Sequence, residues 1–309
     1  MRKAVVDIGS NSTRLLIAEL DEGRVTGELD RRTTVTRLGA GVDADGRLSD
    51  DGMQRVFAVL DEYHDAIERL DVDAGVAVMT SAVRDSTNGE QFAAEVQRRY
   101  GLEPHVLTGD QEATLTYLGA TSERDPADTT PTLVLDIGGG STEMVIGTGH
   151  EASFHVSTQA GVVRQTERHL HTDPPTDSEQ RAMSQDVREI LVAAVPSDKR
   201  RAVQHGIGVA GTATQLAAIA QELEPYDAAR VHGFELTGDE VRRLLARLAR
   251  LPLEERREVT GLDPARAPTI VAGALILVEV LELFGLDRIE VSEHDILRGA
   301  ALGLGANGS

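Results

Sequence analysis

The sequence predicts an α/β protein made of two duplicated domains, each a mixed sheet flanked by helices. Two observations carry that expectation. Asp7-Ile8-Gly9-Ser10-Asn11-Ser12-Thr13 returns as Asp136-Ile137-Gly138-Gly139-Gly140-Ser141-Thr142, and each copy lies between two short apolar runs. Those runs are Ala4-Val5-Val6 and Leu15-Leu16-Ile17 around the first, Leu133-Val134-Leu135 and Met144-Val145-Ile146 around the second. An apolar run, a glycine-bearing turn and a second apolar run make a hairpin with a carboxylate closing its first arm. After each hairpin the chain continues with a third strand and then alternates helix and strand, which is duplication of a domain rather than a short-period repeat.

In order, Arg24 to Leu38 reads as a third strand ending in the Gly39-Ala40-Gly41 turn. A helix follows from Ser49, with Met53, Val56, Phe57, Leu60, Ile67 and Leu70 at three- and four-residue spacings and Ser49 or Asp50 as its cap. Gly75 to Met79 is a short buried strand, then come Thr80-Ser81-Ala82-Val83-Arg84, a helix near 89–99 and a strand from Pro104 to Leu107. Asp110 is read as the cap of the next helix, which carries Glu112. Ser122 to Pro131, rich in Ser, Asp, Thr and Pro, marks the boundary between domains 1–124 and 125–309. In the second half, the hairpin (133–146) leads to a strand at 151–157 and helices from about 160 and 177. A strand at 204–210, a helix from Thr212, a helix near 238–249 and a long apolar helix, 266–284, follow. Strand Arg288–Val291 and a closing helix, 293–305, with room to pack back on the first domain, end the chain; Ala306–Ser309 are read as a frayed end.

Composition narrows the function classes. With 309 residues, 40% hydrophobic and 27% charged, the chain can bury a sizeable core. It has no cysteine, which excludes disulfides, Cys-ligated zinc and a thiol nucleophile; a cytoplasmic location is expected. The formal charge of −20, with only Lys3 and Lys199 as lysines, opposes nucleic-acid partners. It also opposes a polyanionic substrate, unless arginines gather at one site and the substrate arrives with Mg²⁺. The longest apolar stretch, Ile270 to Phe284, carries Glu279 and Glu282 and is too short to span a bilayer, so no membrane partner is expected.

Glycine turns bring backbone amides close to a ligand, and with Ser and Thr hydroxyls they form an anion-binding nest. Gly9, Ser10, Asn11 and Ser12 form one candidate nest, and Gly138, Gly139, Gly140, Ser141 and Thr142 the other. Two such nests on similar halves would face each other across a cleft, suiting a phosphate chain with a metal ion. Other phosphate signatures are missing: there is no G-x-x-x-x-G-K-[ST], and the triple glycine leads into a strand rather than a helix. His169-x-His171 lacks the helical spacing of a zinc pair. Asp136 and Glu143, across the hairpin from each other, are candidates for Mg²⁺, with Mn²⁺ as its substitute; turn-forming aspartate and a solvated strand face are the plain alternatives. Gly211 and Thr212, where a strand meets a helix, have amides that suit an anion or serve a plain turn.

The motifs taken in order resemble the exopolyphosphatase / guanosine pentaphosphate phosphatase family, within the actin/hexokinase/Hsp70 superfamily. The resemblance is carried by Asp7–Ser12, Thr80–Asp85, Gly109–Ala113, Asp136–Glu143, Gly208–Thr212, Arg266-Ala267 and Ser292–Gly303, nearly end to end. It implies two actin-like (ribonuclease H-like) domains, each with a mixed five-stranded sheet, and an active site in the interdomain cleft. It also implies that Glu112 is the catalytic base, where the residues alone favour an ordinary acid in the first turn of a helix. Gln111 departs from relatives that place a second acid there. By the same resemblance Asp7 positions the attacking water or holds the ion through water, and Arg14, Arg84 and Arg266 contact phosphate. Arg298, in the family's L-R-x-G pattern, is as readily a structural arginine. The implied activity is Mg²⁺-dependent removal of the terminal phosphate of inorganic polyphosphate, with guanosine pentaphosphate as the alternative substrate. Longer relatives carry an additional C-terminal helical domain; its absence here leads to an expectation of short chains. A homodimer is also expected, though no residue argues for it. An actin-like ATPase or small-molecule kinase, and a non-enzymatic polyphosphate or alarmone sensor, are the competing classes.

Overall fold

A computed structural model describes residues 1–304, the side chains of residues 43 and 44 excepted; the frayed end expected at Ala306–Ser309 lies outside the described residues. The chain forms two compact units, one of Met1–Ser122 with the stretch from Asp295 onward, the other of Glu123–His294.

The first unit runs β1 (Arg2–Ile8), β2 (Ser12–Asp21), β3 (Arg24–Val35), α1 (Val42–Asp45), α2 (Asp50–Arg69), β4 (Ala74–Met79), α3 (Ser81–Arg84), α4 (Gly89–Tyr100), β5 (Glu103–Val106) and α5 (Gly109–Thr121). The second runs β6 (Thr132–Ile137), β7 (Thr142–Thr148), β8 (Glu151–Thr158), α6 (Val162–His169), α7 (Asp177–Ala194), α8 (Ser197–Ala202), β9 (His205–Val209) and α9 (Ala210–Ala220). It continues through α10 (Ala228–Val231), β10 (Glu235–Thr237), α11 (Gly238–Leu248), α12 (Leu253–Arg257), a 3₁₀ turn (Pro264–Arg266), α13 (Ile270–Phe284) and β11 (Arg288–Val291). Helix α14 (Ile296–Gly303) returns to the first unit.

Strand order shows the duplication: β3-β2-β1-β4-β5 in one sheet, β10-β11-β9-β6-β7-β8 in the other. Read from its far edge, the second order repeats the first as β8-β7-β6-β9-β11. The three-residue β10 is an additional antiparallel edge strand, too short to leave a periodic signal in the sequence. In each sheet the first three strands are antiparallel and the next pair in parallel. The carboxyl ends of β1, β4 and β5 therefore emerge side by side, as do those of β6, β9 and β11. Ligand sites of α/β sheets form at such ends.

Each face of the first sheet has its own core. Val6, Ile8, Leu15 and Ile17 pack with α2 and α4 through Phe57, Leu60, Phe92 and Val96; Val5, Leu16, Val76 and Val78 pack with Leu115, Ile296, Leu297 and Ala300. The second unit's core centres on α13, nearly all buried. Its one buried acid, Glu279, is held by Arg188 Nε at 2.8 Å, which relieves the cost of burying the charge. Three boundaries differ from expectation. The cap of α5 is Thr108, whose hydroxyl accepts from Gln111 N while Gln111 Oε1 accepts from Thr108 N at 2.9 Å; this capping box outcompetes Asp110. Helix α13 starts at Ile270 because Pro268 has no N–H to continue a helix, leaving Arg266 in the preceding 3₁₀ turn. Helix α9 begins at Ala210, two positions before Thr212. Among the described residues no helix is long and apolar enough to cross a membrane.

Candidate functional site

The two glycine turns have the same closure. Gly9 N donates to Ser12 O at 3.0 Å, and Gly138 N to Ser141 O at 2.9 Å. Among the described residues no partner holds the amides of Ser10 and Asn11, or those of Gly139 and Gly140. Each turn is propped from outside by a glycine. A Cβ on Gly39 would sit 2.8 Å from Ser10 Cβ, and one on Gly161 would sit 2.2 Å from the Gly140 carbonyl carbon. In the second turn Gly138 O and Gly139 O accept the first amides of α6, and Arg164 Nε donates to Gly140 O at 3.0 Å. The carbonyls are thereby turned toward the helix.

In the first unit the parallel register sets the neighbours. Asp7 and Ile8 of β1 lie opposite Val78 and Met79 of β4, and Met79 lies opposite Val106 of β5. Residues just past these strands are therefore adjacent. Ser10 Oγ lies 3.0 Å from Ser81 Oγ at the start of α3. Helix α3 ends in Arg84, whose Nη1 donates to Leu107 O at 3.0 Å and lies 3.6 Å from Glu112 Oε2. A continuous path thus links the first nest to Glu112 through Ser81 and Arg84, and both Arg84 and Glu112 are about one-third exposed.

Asp7 is buried and faces Arg14 across the hairpin. Its Oδ2 accepts from Arg14 Nη2 at 2.6 Å and Nε at 2.9 Å, while its buried Oδ1 has no partner. Burial pushes the Asp7 carboxyl above the usual range; Arg14 opposes that shift and Asp295 adds to it. Arg14 also donates to Asp295 Oδ2 in a short contact. Expected as a phosphate contact, Arg14 is committed here to two carboxylates. Sequence reasoning missed Asp295 and Ser81.

The same register position differs in the second unit: Asp136 faces Glu143. Residues paired across antiparallel strands share a face, with Cβ atoms about 4.5–5.5 Å apart. Glu143 is not on a solvated face: burial raises its pKa, against hydrogen bonds from Ser141 and Ser157, the latter at 2.8 Å. Two carboxylates with neighbouring hydroxyls, and no nitrogen or sulfur donor among those side chains, are the donor chemistry of Mg²⁺ or Mn²⁺. A resident cation would reverse the penalty that burial places on Glu143. Beside this pair, Asp136 lies opposite Val209 at the end of β9, so Ala210 and Gly211 emerge near the triple-glycine turn. The Arg266 guanidinium lies so close to Gly211 that a Cβ there would fall 1.9 Å from Nη1. Among the described residues no carboxylate pairs with Arg266, which leaves its charge available to an anion.

Three sequence candidates have side chains engaged within the fold. Thr142 is fully buried and donates to Ala160 O at 2.7 Å; strand alternation turns it to the face opposite Glu143. Thr212 is buried and gives its one proton to Ile137 O at 3.0 Å, bolting β6 to α9. Arg298 is buried within the first unit, donating to Ser122 Oγ at 2.9 Å and lying 3.5 Å from Glu28. None of these three side chains is placed to donate to a phosphate.

Among the described residues, Glu123, His232 and His294 are the group with donor spacing suited to a metal. Its proton inventory argues against one. His232 Nδ1 accepts from Glu293 N at 3.3 Å, so the ring proton sits on Nε2 and faces Glu123 Oε2 at 3.2 Å. A metal on Nε2 would force that proton onto Nδ1, against another N–H.

The profile of the Ppx/GppA phosphatase family matches residues 16–303. Exopolyphosphatase 2 of Mycobacterium tuberculosis is 38% identical over 315 residues, covering 98% of each chain. Among solved structures, the Aquifex aeolicus member of the Ppx/GppA family superposes with a TM-score of 0.87 at 34% identity, covering 100% of this chain and 99% of that one. An exopolyphosphatase from Cytophaga hutchinsonii gives a TM-score of 0.84 at 26% identity, with 100% of both chains covered.

Proposed function

As the chain belongs to the Ppx/GppA phosphatase family, we propose that it is a Mg²⁺-dependent exopolyphosphatase, working in the cytoplasm, that releases the terminal phosphate of short polyphosphate chains. The observation that carries this reading is Arg84 held 3.6 Å from Glu112, joined to the first glycine turn through Ser81. Arg84 balances substrate charge beside the base. A guanidinium matches phosphate oxygens with parallel hydrogen bonds.

Glu112 takes a proton from the attacking water as the water oxygen bonds to the terminal phosphorus. The bridging P–O bond breaks, and its electron pair leaves with the shortened chain. Asp7, whose buried Oδ1 is uncommitted, orients the water. The amides of Ser10 and Asn11 hold phosphate oxygens; in the second unit, taken by itself, the amides of Gly139 and Gly140 and the charge of Arg266 suit a phosphate oxygen as well. Asp136 and Glu143 would hold Mg²⁺, which when bound offsets charge developing on the phosphate oxygens. General-base assistance of this kind is worth about 10²–10⁴ in rate.

Guanosine pentaphosphate is the alternative substrate, since the Ppx/GppA family name covers it. The aromatic content of 3%, with no Trp, offers few platforms for a guanine base and favours the inorganic chain. Phosphate release from polyphosphates of defined length, guanosine pentaphosphate and ATP, with and without Mg²⁺, tests the reading. Release from short polyphosphate only with Mg²⁺, falling about 10²–10⁴-fold in Glu112→Gln while binding persists, supports it. Preference for very long polymer, or phosphoryl transfer from ATP to an acceptor without release, overturns it.

A further inference from the structure

Asp295 sits where three parts of the first unit meet. Its Oδ1 accepts from Leu297 N at 3.0 Å and so caps α14. Its Oδ2 accepts from Arg14 Nη1, the guanidinium that also grips Asp7. Its backbone lies against α5, the helix that carries Glu112: a Cβ on Gly119 would fall 1.9 Å from Asp295 O. One turn on, a Cβ on Gly299 would fall 1.8 Å from Leu115 O. Helices α14 and α5 thus touch backbone to backbone, an approach that only glycine at both positions allows.

The far end of α14 is fixed as well. Lys3, on the strand that carries Asp7, is buried and donates from Nζ to Ala301 O at 3.0 Å and Ala300 O at 3.3 Å. A cation at the last carbonyls of a helix satisfies groups that have no intrahelical partner. Helix α14 is therefore pinned to the first hairpin at both ends, through Asp295–Arg14 and Lys3, and pressed on the Glu112 helix in between.

We propose that Asp295 is a positioning residue of the phosphohydrolase reaction, an inference that rests on the function proposed above. It draws the Arg14 guanidinium toward itself and fixes its plane. Arg14 then holds Asp7 by Oδ2 alone and leaves the buried Oδ1 uncommitted. Weakening that anchor lets the guanidinium turn toward both oxygens of Asp7, the two-pronged geometry arginine and carboxylate ordinarily adopt. The charged groups that face Asp7 are Arg14 from β2 and Asp295 ahead of α14; β4 presents Val78 opposite. Asp295 touches no reacting atom in this scheme and acts through Arg14.

The test is a double-mutant cycle on the full chain with Mg²⁺ and short polyphosphate. Asp295→Asn keeps the helix cap, because asparagine caps as well as aspartate, and weakens only the grip on Arg14. The expected result is a kcat at least tenfold lower, a KM within twofold of wild type and a melting temperature little changed. Arg14→Gln lowers kcat by itself, and adding Asp295→Asn to it costs no further activity, since the two act as a unit. Unchanged kcat in Asp295→Asn, or losses that multiply in the double variant, overturns the proposal. A fall in melting temperature with kcat per folded molecule unchanged also overturns it, since Asp295 is then only a cap. Wild-type protein that releases no phosphate from any of the three substrates sinks the phosphohydrolase reading, and this inference with it; that outcome is distinct from an active wild type with an indifferent Asp295→Asn.

Discussion

The two hairpins share a backbone and differ in charge. In each the first turn amide reaches the carbonyl three residues on, at 3.0 Å in one and 2.9 Å in the other, and a Cβ on either first glycine would lie 3.2 Å from that oxygen. Directly across from the aspartate that the two hairpins share, however, the first has Arg14 and the second has Glu143. The first carboxylate is balanced by a resident guanidinium. The second faces another carboxylate, whose burial raises its pKa. Duplication kept the turn, and one residue opposite each aspartate sets the two hairpins apart. Under the proposed function, one hairpin would steer water and the other would take the cation.

The largest expected effect comes from erasing that division. Glu143→Arg copies the first hairpin's ion pair into the second and should lower Mg²⁺-supported turnover by about 10³-fold or more, the several kcal/mol a bound cation supplies. Steady-state phosphate release across a Mg²⁺ titration checks it; a variant that still responds to Mg²⁺ breaks the comparison. Next come the external props. Gly161→Ala drives a methyl into the backbone of the second turn, while Gly39→Ala meets only the Ser10 side chain. Denaturant unfolding should show a loss of about 1–3 kcal/mol for Gly161→Ala and less for Gly39→Ala. Equal losses would mean the turns are not braced as described.

The smallest effect concerns Lys3, whose place in the first arm Thr132 takes in the second. Burial lowers the Lys3 pKa below 10.5. Below that lowered pKa, Lys3 is charged in both the native and unfolded chains, and the native state bears the full burial cost. As pH climbs from there toward 10.5, the unfolded chain binds more protons than the native one, so stability rises. Urea unfolding should therefore show wild type gaining on Lys3→Met over that alkaline window. A difference independent of pH would contradict the burial of a titrating amine.

The legible part of the fold was whatever local sequence repeats. D-I-G-x-x-S-T between apolar runs states strand, turn and strand twice, and the structure has both hairpins with the aspartates in matching positions. Side-chain direction is legible in the alternation: Thr142 pairs with Ile137, one step out of phase with the Asp136–Glu143 pair, so it turns to the other face. The cap of α5 was misread because Asp110 and Thr108 are both good caps, and the Gln111 box decides between them. Asp295 reads locally as no more than a helix cap. Its partner Arg14 is 281 residues away, and only the return of α14 to the first unit brings them together.

Mn²⁺ binding followed by electron paramagnetic resonance tests the division of labour most directly, because it needs no turnover. One tightly held ion is expected in wild type, retained in Asp7→Asn and lost in Glu143→Arg. Loss in Asp7→Asn with retention in Glu143→Arg would place the cation on the wrong hairpin and contradict that expectation.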